Sequence, residues 1–380
     1  MEFSYLDNNA GTGLADGVLD AMLPYLQQQQ GNPSSSHRFG RFALTALDQA
    51  RQQVAELVKV HPSQVIFTSG GTEANNQVLA SVSQLYSGGD VIISPIEHPS
   101  ILEPAARLTE YGFDVTHLAV DKSGRVNEDA LSAVLTNKTR LVSVMWANNE
   151  TGLIQDIKSL SRITRKKQIP FHCDAVQAAG KLEINFNAVG VQSMSLSAHK
   201  FGGPKGIGAL IVSHDFDCPA FIVGGGQENG LRSGTENVPA IVGFGAAAQS
   251  AVQNLERYQR HCRRLRDLLE VRLQSLPEVT IFAKEANRLA NTVFFSVQGF
   301  DAETLLMTLD RQGIAVSSGS ACGTGQQTPS HVLTAMGIDD VTALGAIRVS
   351  VSQYNTLEQI EQLVVILTKE VDRFKHLMNR

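Results

Sequence analysis

The chain has 380 residues, 43% of them hydrophobic and 18% charged, and its 32 Lys+Arg and 37 Asp+Glu are interspersed to a net charge of −5. At about 100–200 residues per domain that length allows two domains or one with an appendage, and its apolar content excludes wholesale disorder. The charge balance argues against a nucleic-acid or anionic-membrane surface.

Met1–Gly13 carries acidic residues where a signal peptide would have a basic start and an apolar stretch. The longest apolar run, around Pro239–Ala248, falls well short of the roughly 18 residues of a membrane span. Cys173, Cys218, Cys262 and Cys322 are widely separated, with no C-x-x-C pair and too few for a disulfide framework. A soluble, cytoplasmic protein of a reducing compartment is the expectation, with no membrane or nucleic-acid partner.

In chain order, β-branched runs at Val65–Thr68, Val91–Ser94, Val115–Val120, Leu141–Trp146, Pro170–Cys173, Ser193–Ser197 and Ala209–Val212 predict strands. Between them, Glu73–Tyr86, Ser100–Tyr111 and Asp156–Lys167 carry apolar residues at helical spacing. That rhythm predicts βαβ units and an α/β fold with a mainly parallel, mixed sheet covered on both faces. A long charged helix is predicted around Ser250–Leu276, then a strand (Asn291–Val297), a helix (Asp301–Gln312), a Gly/Ser loop, a strand (Ala346–Val351) and a last helix (Leu357–Met378). We read residues 14–255 as a large domain and residues 256–380 as a smaller α+β domain; how the first dozen residues pack is not legible from pattern.

Functional groups in such a sheet belong just past the carboxyl ends of the strands, and five sites fall there. Thr68-Ser-Gly-Gly-Thr-Glu-Ala-Asn-Asn76 runs from a strand through glycines into a helix, where Gly71 and Thr72 either grip a phosphate or form an ordinary capped turn. It lacks the G-x-x-x-x-G-K-[ST] spacing of a nucleotide-triphosphate loop. In Phe171-His-Cys-Asp-Ala-Val-Gln177, Asp174 ends an apolar run, where a carboxylate needs a cation; a protonated ring nitrogen would serve, and Gln177 could reach the same ring. The alternatives are a capping aspartate or a His172/Asp174 metal pair, for which no further ligand sits at usual spacing, so no metal is expected.

Lys200, in Ser197-Ala-His-Lys-Phe-Gly-Gly, lies among small residues just past an apolar run, as an ion-pair partner or as an amine of lowered pKa suited to a Schiff base. Phosphate grip, acid for a pyridinium nitrogen and Schiff-base lysine are together the demands of pyridoxal phosphate. His98 in Ser94-Pro-Ile-Glu-His98 could stack on that ring and move protons, or be a satisfied histidine. Asn148-Asn149-Glu150 suits polar ligand contacts or a turn. Elsewhere, Cys322 stands among Gly, Ser and Thr, a setting that favours a reactive thiol over a structural one. Arg348, in Ala346-Ile-Arg-Val-Ser350, needs a carboxylate from the protein or from a substrate.

Taken together, these stretches resemble the cysteine desulfurases of the NifS/IscS kind, within the class V aminotransferase group of pyridoxal-phosphate enzymes. The resemblance runs nearly end to end. It also takes in Tyr5-Leu-Asp-Asn8, Gly31-Asn-Pro-Ser-Ser35 with His37, Gly224–Asn237 and Pro329-Ser-His-Val-Leu333. It implies a fold-type I transferase and an obligate homodimer, with residues 1–13 joining 256–380 in the small domain that carries the cysteine loop. It implies that Lys200 bonds the cofactor, Asp174 pairs with the pyridine nitrogen, Gln177 meets the ring oxygen and His98 stacks on the ring. Gly71, Thr72, Ser197 and His199 would hold the phosphate, with Thr235 reaching it from the partner subunit. Asn149 and Arg348 would bind the carboxylate of L-cysteine, and Cys322 would take its sulfur as a persulfide, leaving alanine. A sulfur-acceptor protein, either an iron–sulfur scaffold or a sulfur carrier, is the further partner implied.

The other readings are a selenocysteine lyase, a C–S lyase or an aminotransferase on the same scaffold, or a catalytically idle sulfur-relay protein. Two departures stand out. The first motif reads Asp7-Asn-Asn-Ala-Gly-Thr12 where the family usually has Asp-Asn-Ala-Ala-Thr-Thr, and only 32 residues follow Arg348, fewer than scaffold-binding relatives carry.

Overall fold

The computed structural model describes residues 3–319 and 328–378. A two-residue strand, β1 (Ser4–Tyr5), opens the chain, followed by helices Val18–Gln27 and Arg38–Val58. Then come β2 (Val65–Thr68), β3 (Gly89–Ile93), β4 (Phe113–His117), β5 (Thr139–Ser143), β6 (Phe171–Asp174), β7 (Ser193–Ser197) and β8 (Gly208–Val212). These seven form one sheet in the order β2-β8-β7-β6-β5-β3-β4. Strands β7, β6, β5, β3 and β4 pair in parallel, and β8 is antiparallel to both neighbours. Hence β2 and β7, on either side of β8, run the same way, and the carboxyl ends of β2, β3, β5, β6 and β7 meet at one edge.

The central strands are apolar on both faces because helices cover both, as parallel sheets require. One face packs through Phe67, Val142, Val144, Phe171 and Met194. The other packs through Ile66, Val91, Ile93 and Leu210 against Val78 and Leu79 of helix Gly71–Leu85.

A second core gathers residues from both ends of the chain: Leu6 lies with Phe295, Leu305, Ile347 and Leu363. Its four-stranded sheet has the order β12-β13-β10-β9, where β9 is Val279–Ile281, β10 Thr292–Val297, β12 Ser317–Ser318 and β13 Ala346–Ser350. Strand β1 pairs in parallel with β11 (Ile314–Ala315), and Asp7 bridges to Ser350, which brings the N-terminal segment to the edge of the large sheet.

The helix expected at 250–276 spans Val238–Gln274, 37 residues and about 55 Å. Asn237 caps its start by accepting from the Ala240 N–H at 3.3 Å. The small residues at 243–248 let it lie close on helix Arg38–Val58: a Cβ on Gly245 would stand 2.7 Å from Ala50 Cα. Its first half packs Ile241 and Phe244 into the large-sheet core and its second half packs Leu265 and Leu269 into the other. Among the described residues no helix is long and apolar enough to cross a membrane.

Candidate active site

The carboxyl edge of the large sheet opens into a cleft of about 640 Å³. Gly71, Thr72, His98, Asn149, Asp174, Gln177, Ser197, His199, Lys200 and Arg348 all line it. Thr235 does not; it is exposed on the loop before helix Val238–Gln274. Cys322 lies outside the described residues.

At one end, β2 passes through Gly70 into helix Gly71–Leu85. A Cβ at Gly71 would stand 2.6 Å from Val176 Cγ2, whereas Gly70 faces open space. Glycine therefore lets the start of the helix close on the Asp174 turn while its free N–H groups look into the cleft. Glu73, in the same turn, is not left to repel an anion: its carboxylate accepts from Arg232 Nε at 2.9 Å and from the Ser69 N–H at 2.7 Å. Burial pushes its pKa up, but those donors outweigh it and hold it below the ordinary value. Opposite, Ser197 Oγ lies 3.0 Å from His199 Nδ1. Burial and the charges of Lys200, Lys205 and Lys181 push His199 down to about 4, so its ring is neutral near pH 7.

The Asp174 carboxylate is oriented rather than buried bare. Oδ1 accepts from the Val176 N–H at 2.9 Å and Oδ2 from Asn75 Nδ2 at 2.8 Å. Behind it, His172 Nε2 lies 3.0 Å from Asn75 Oδ1 and Nδ1 lies 2.9 Å from Ser193 Oγ. Because Asn75 Oδ1 can only accept, His172 carries its proton on Nε2. Burial pushes His172 to about 3. Both ring nitrogens are thus engaged, which removes the His172/Asp174 metal pair, and among the described residues no cluster of His, Cys, Asp and Glu could hold a metal.

Asn75 Nδ2 also donates to Ser100 Oγ at 2.8 Å, and Ser100 Oγ in turn is 2.8 Å from His98 Nδ1. His98 Nδ1 further accepts the Ser100 N–H at 3.1 Å, capping helix Pro99–Leu108. The neutral ring therefore holds its proton on Nε2. Burial lowers the pKa of His98, with Lys200 and His331 adding to the fall and Asp174 opposing it.

Lys200 follows β7 and donates to the carbonyl oxygens of Asn9 at 2.7 Å and Ala10 at 3.1 Å. Burial first and the charge of Arg348 second depress it to about 8, against the pull of Asp174 and Asp7. Arg348, on β13, donates through Nη2 to Asp7 Oδ1 at 2.6 Å and through Nη1 to Asn149 O at 3.1 Å. The protein thus supplies one carboxylate partner, while Nε stays buried with no hydrogen-bond partner among the described residues. Just past residues 320–327, Ser330 Oγ donates to Glu150 Oε2 at 2.5 Å and His331 Nε2 lies 2.9 Å from the Glu97 carbonyl. Burial raises the pKa of Glu97 and Glu150 alike.

Asp7, Asn9, Asn75 and Lys181 belong to the site and were absent from the sequence expectations. Lys181, 3% exposed, stands one turn after Gln177, a spacing that could have flagged it. Cys173, Cys218 and Cys262 are free and buried, and burial raises all three thiols, to about 12 for Cys218 and Cys262, so none is a nucleophile.

Residues 4–363 match the family described as aminotransferase class-V. A cysteine desulfurase IscS of Dictyoglomus turgidum is 39% identical over 374 residues, covering 98% of this chain and 95% of its own. A solved NifS-like protein superposes with a TM-score of 0.92 at 37% identity, over 97% of this chain and 99% of that one. SspA, solved in complex with cysteine, superposes with a TM-score of 0.81 at 32% identity, over 93% of this chain and all of that one.

Proposed function

The chain belongs to the class V aminotransferase family as a pyridoxal-phosphate-dependent cysteine desulfurase, and from that premise we propose the parts its residues take in the conversion of L-cysteine to L-alanine. The observation that carries the assignment is the meeting, in one cleft, of a depressed lysine, a hydrogen-bonded aspartate and a glycine-opened helix start.

The donor set fits the cofactor. The N–H groups at Gly71 and Thr72, with Ser197 and His199, suit a phosphate. The Asp174 carboxyl, oriented by Asn75 and Val176, suits a protonated ring nitrogen. Gln177 suits the ring oxygen, His98 would stack on the ring, and Lys200 would be the amine that bonds the cofactor. When bound, pyridoxal phosphate supplies an electron sink for negative charge developing at the substrate α-carbon.

The substrate carboxylate goes to Arg348 and Asn149, a role supported by the buried Arg348 Nε with no hydrogen-bond partner among the described residues. Lys200, with a pKa of about 8, is partly neutral at working pH and moves protons at Nζ. His98, its Nδ1 occupied by Ser100, offers its exchangeable proton at Nε2. Cys322 takes the sulfur: its thiolate forms an S–S bond as the substrate C–S bond breaks toward carbon, which a proton then completes as alanine.

The division into residues 14–255 and 1–13 plus 256–380 is supported by the separate cores. A homodimer in which Thr235 serves the partner's cleft is supported by the position of that residue, exposed and outside its own. A sulfur-acceptor protein, either an iron–sulfur scaffold or a sulfur carrier, follows from the same reading. A cytoplasmic location is supported by three free, buried thiols. The test is incubation of the loaded protein with L-cysteine and a reducing thiol. Alanine and sulfide in equal amounts are expected; pyruvate in place of alanine would mean β-elimination and would remove Cys322 from its role.

A further inference from the structure

Lys181 is buried with no carboxylate paired to it among the described residues, and its ammonium meets two amide oxygens: Gln177 Oε1 at 2.6 Å and Asn9 Oδ1 at 3.1 Å. An ammonium only donates, so each amide is forced to turn its oxygen toward Lys181 and its nitrogen away. For Gln177 the nitrogen then faces the cleft and donates to the Asn9 carbonyl at 3.0 Å, the same oxygen that accepts Lys200 Nζ at 2.7 Å. Nε2 and the Schiff-base lysine are thereby neighbours, with the second N–H of Nε2 unassigned. For Asn9, whose Oδ1 also accepts from Asn291 Nδ2 at 3.0 Å, the nitrogen donates to Asn149 O at 3.1 Å and to Thr292 Oγ1 at 2.9 Å. Asn149 O is where Arg348 Nη1 is anchored. One cation therefore orients an amide on the cofactor side and another on the substrate side.

Asn9, which supplies the second arm of this clamp, stands where the usual Asp-Asn-Ala-Ala pattern has an alanine. Burying a lysine this way is unfavourable: desolvation, with the charges of Lys200 and Arg348, depresses it to about 7. Cys262 opposes that shift, and Tyr258 lines the small cavity shared by Lys181 and Lys200. Such a cation is kept where it orients reacting groups.

We propose that Lys181 is a positioning residue for the desulfurase, fixing the Gln177 amide with Nε2 rather than Oε1 toward the cofactor's ring oxygen and, through Asn9, bracing Asn149 and Arg348. It acts through Gln177 and rests on the assignment of that residue to the ring oxygen.

The test is a double-mutant cycle on the dimeric holoenzyme: Lys181→Met and Lys181→Gln, each with and without Gln177→Ala. The readouts, taken without substrate, are the dissociation constant of pyridoxal phosphate and the pH midpoint of its bound visible absorption. Lys181→Met is expected to weaken binding roughly tenfold, as for loss of one charge-assisted hydrogen bond. It should also move the midpoint to higher pH, because a cation and an N–H donor both leave the chromophore. Lys181→Gln keeps a neutral donor for Gln177 Oε1 and should recover part of the binding; should the methionine variant not fold, the glutamine cycle carries the test. In the Gln177→Ala background either substitution should cost less than about twofold, since the positioned group is gone.

Full effects of the Lys181 substitutions in that background would mean charge alone and overturn the proposal while leaving Gln177 in place. If Gln177→Ala itself moves neither readout, the assignment of Gln177 fails and the proposal with it.

Discussion

Asn75→Ala tests the network that orients Asp174. The amide is fully buried and links three groups: Oδ1 faces His172 Nε2 at 3.0 Å, and Nδ2 donates to Asp174 Oδ2 and Ser100 Oγ, each at 2.8 Å. Ser100 can turn its hydroxyl to His98, so its loss is small. Asp174 Oδ2 loses its side-chain donor and the His172 N–H keeps only Ser195 Oγ, at 3.5 Å, and each buried unsatisfied group costs about 1–3 kcal/mol, with the carboxylate at the upper end. The variant should therefore lose about 2–5 kcal/mol of stability before any cavity effect is counted. Asn76 is the control: half-buried, with its side chain bonded among the described residues to the Thr72 carbonyl alone, at 2.9 Å, its change to alanine should stay within about 0.5 kcal/mol.

The assay is urea unfolding of cofactor-free protein followed by fluorescence of the single tryptophan, Trp146, whose N–H bonds the Asp174 carbonyl at 2.9 Å. Equal, small losses in the two variants would refute the reasoning, because Asp174 would then be held by something other than Asn75.

Cys322→Ser should abolish alanine formation while leaving the bound cofactor's absorption unchanged, since the thiol's proposed role begins after the cofactor is seated; retained turnover would remove it. Asp7→Ala takes away the 2.6 Å partner of Arg348 and should raise KM for L-cysteine roughly tenfold with cofactor affinity constant, measured by steady-state kinetics and cofactor titration. Cofactor capture by the apo-protein needs a neutral Lys200: the ammonium dominates below its pKa of about 8 and the amine above it. The rate at which bound absorption grows should therefore rise through pH 7 to 9 and level off; a flat profile there would contradict the depressed lysine.

The parts of this molecule readable from its sequence are those whose signal is local. The strand ends at Thr68, Asp174 and Ser197 follow from short runs with apolar residues meeting Gly, Asp and Lys, and the sheet gathers them because parallel strands put their carboxyl ends on one side. What was missed is held by contacts far apart in sequence. Asn9 meets Asn291 and Thr292, 282 and 283 positions away, and Asp7 meets Arg348 at a separation of 341. No window of the sequence contains both partners. Helix Arg38–Val58 is different: Ala43, Leu47, Ala50, Val54 and Val58 keep helical spacing, so its signal was present and went unread.

The electrostatics explain why the missing pieces are the polar ones. Lys200, Lys181 and Arg348 are three basic groups in one buried region, faced among the described residues by Asp7 and Asp174, with Glu150 also acting on Arg348. Burial chiefly, with that positive charge adding to it, lowers both lysines and both His98 and His199. It is the balance expected of a cleft meant to receive a phosphate and a carboxylate, since binding either brings the negative charge that the protein withholds. Amides and carbonyls do the orienting because they can fix an ammonium or a carboxylate without cancelling that charge. On the proposed mechanism Asn9, Asn75 and Gln177 set the geometry while Lys200, Asp174 and Arg348 do the chemistry, and of the three orienting amides only Gln177, three residues after Asp174, stands out in the sequence.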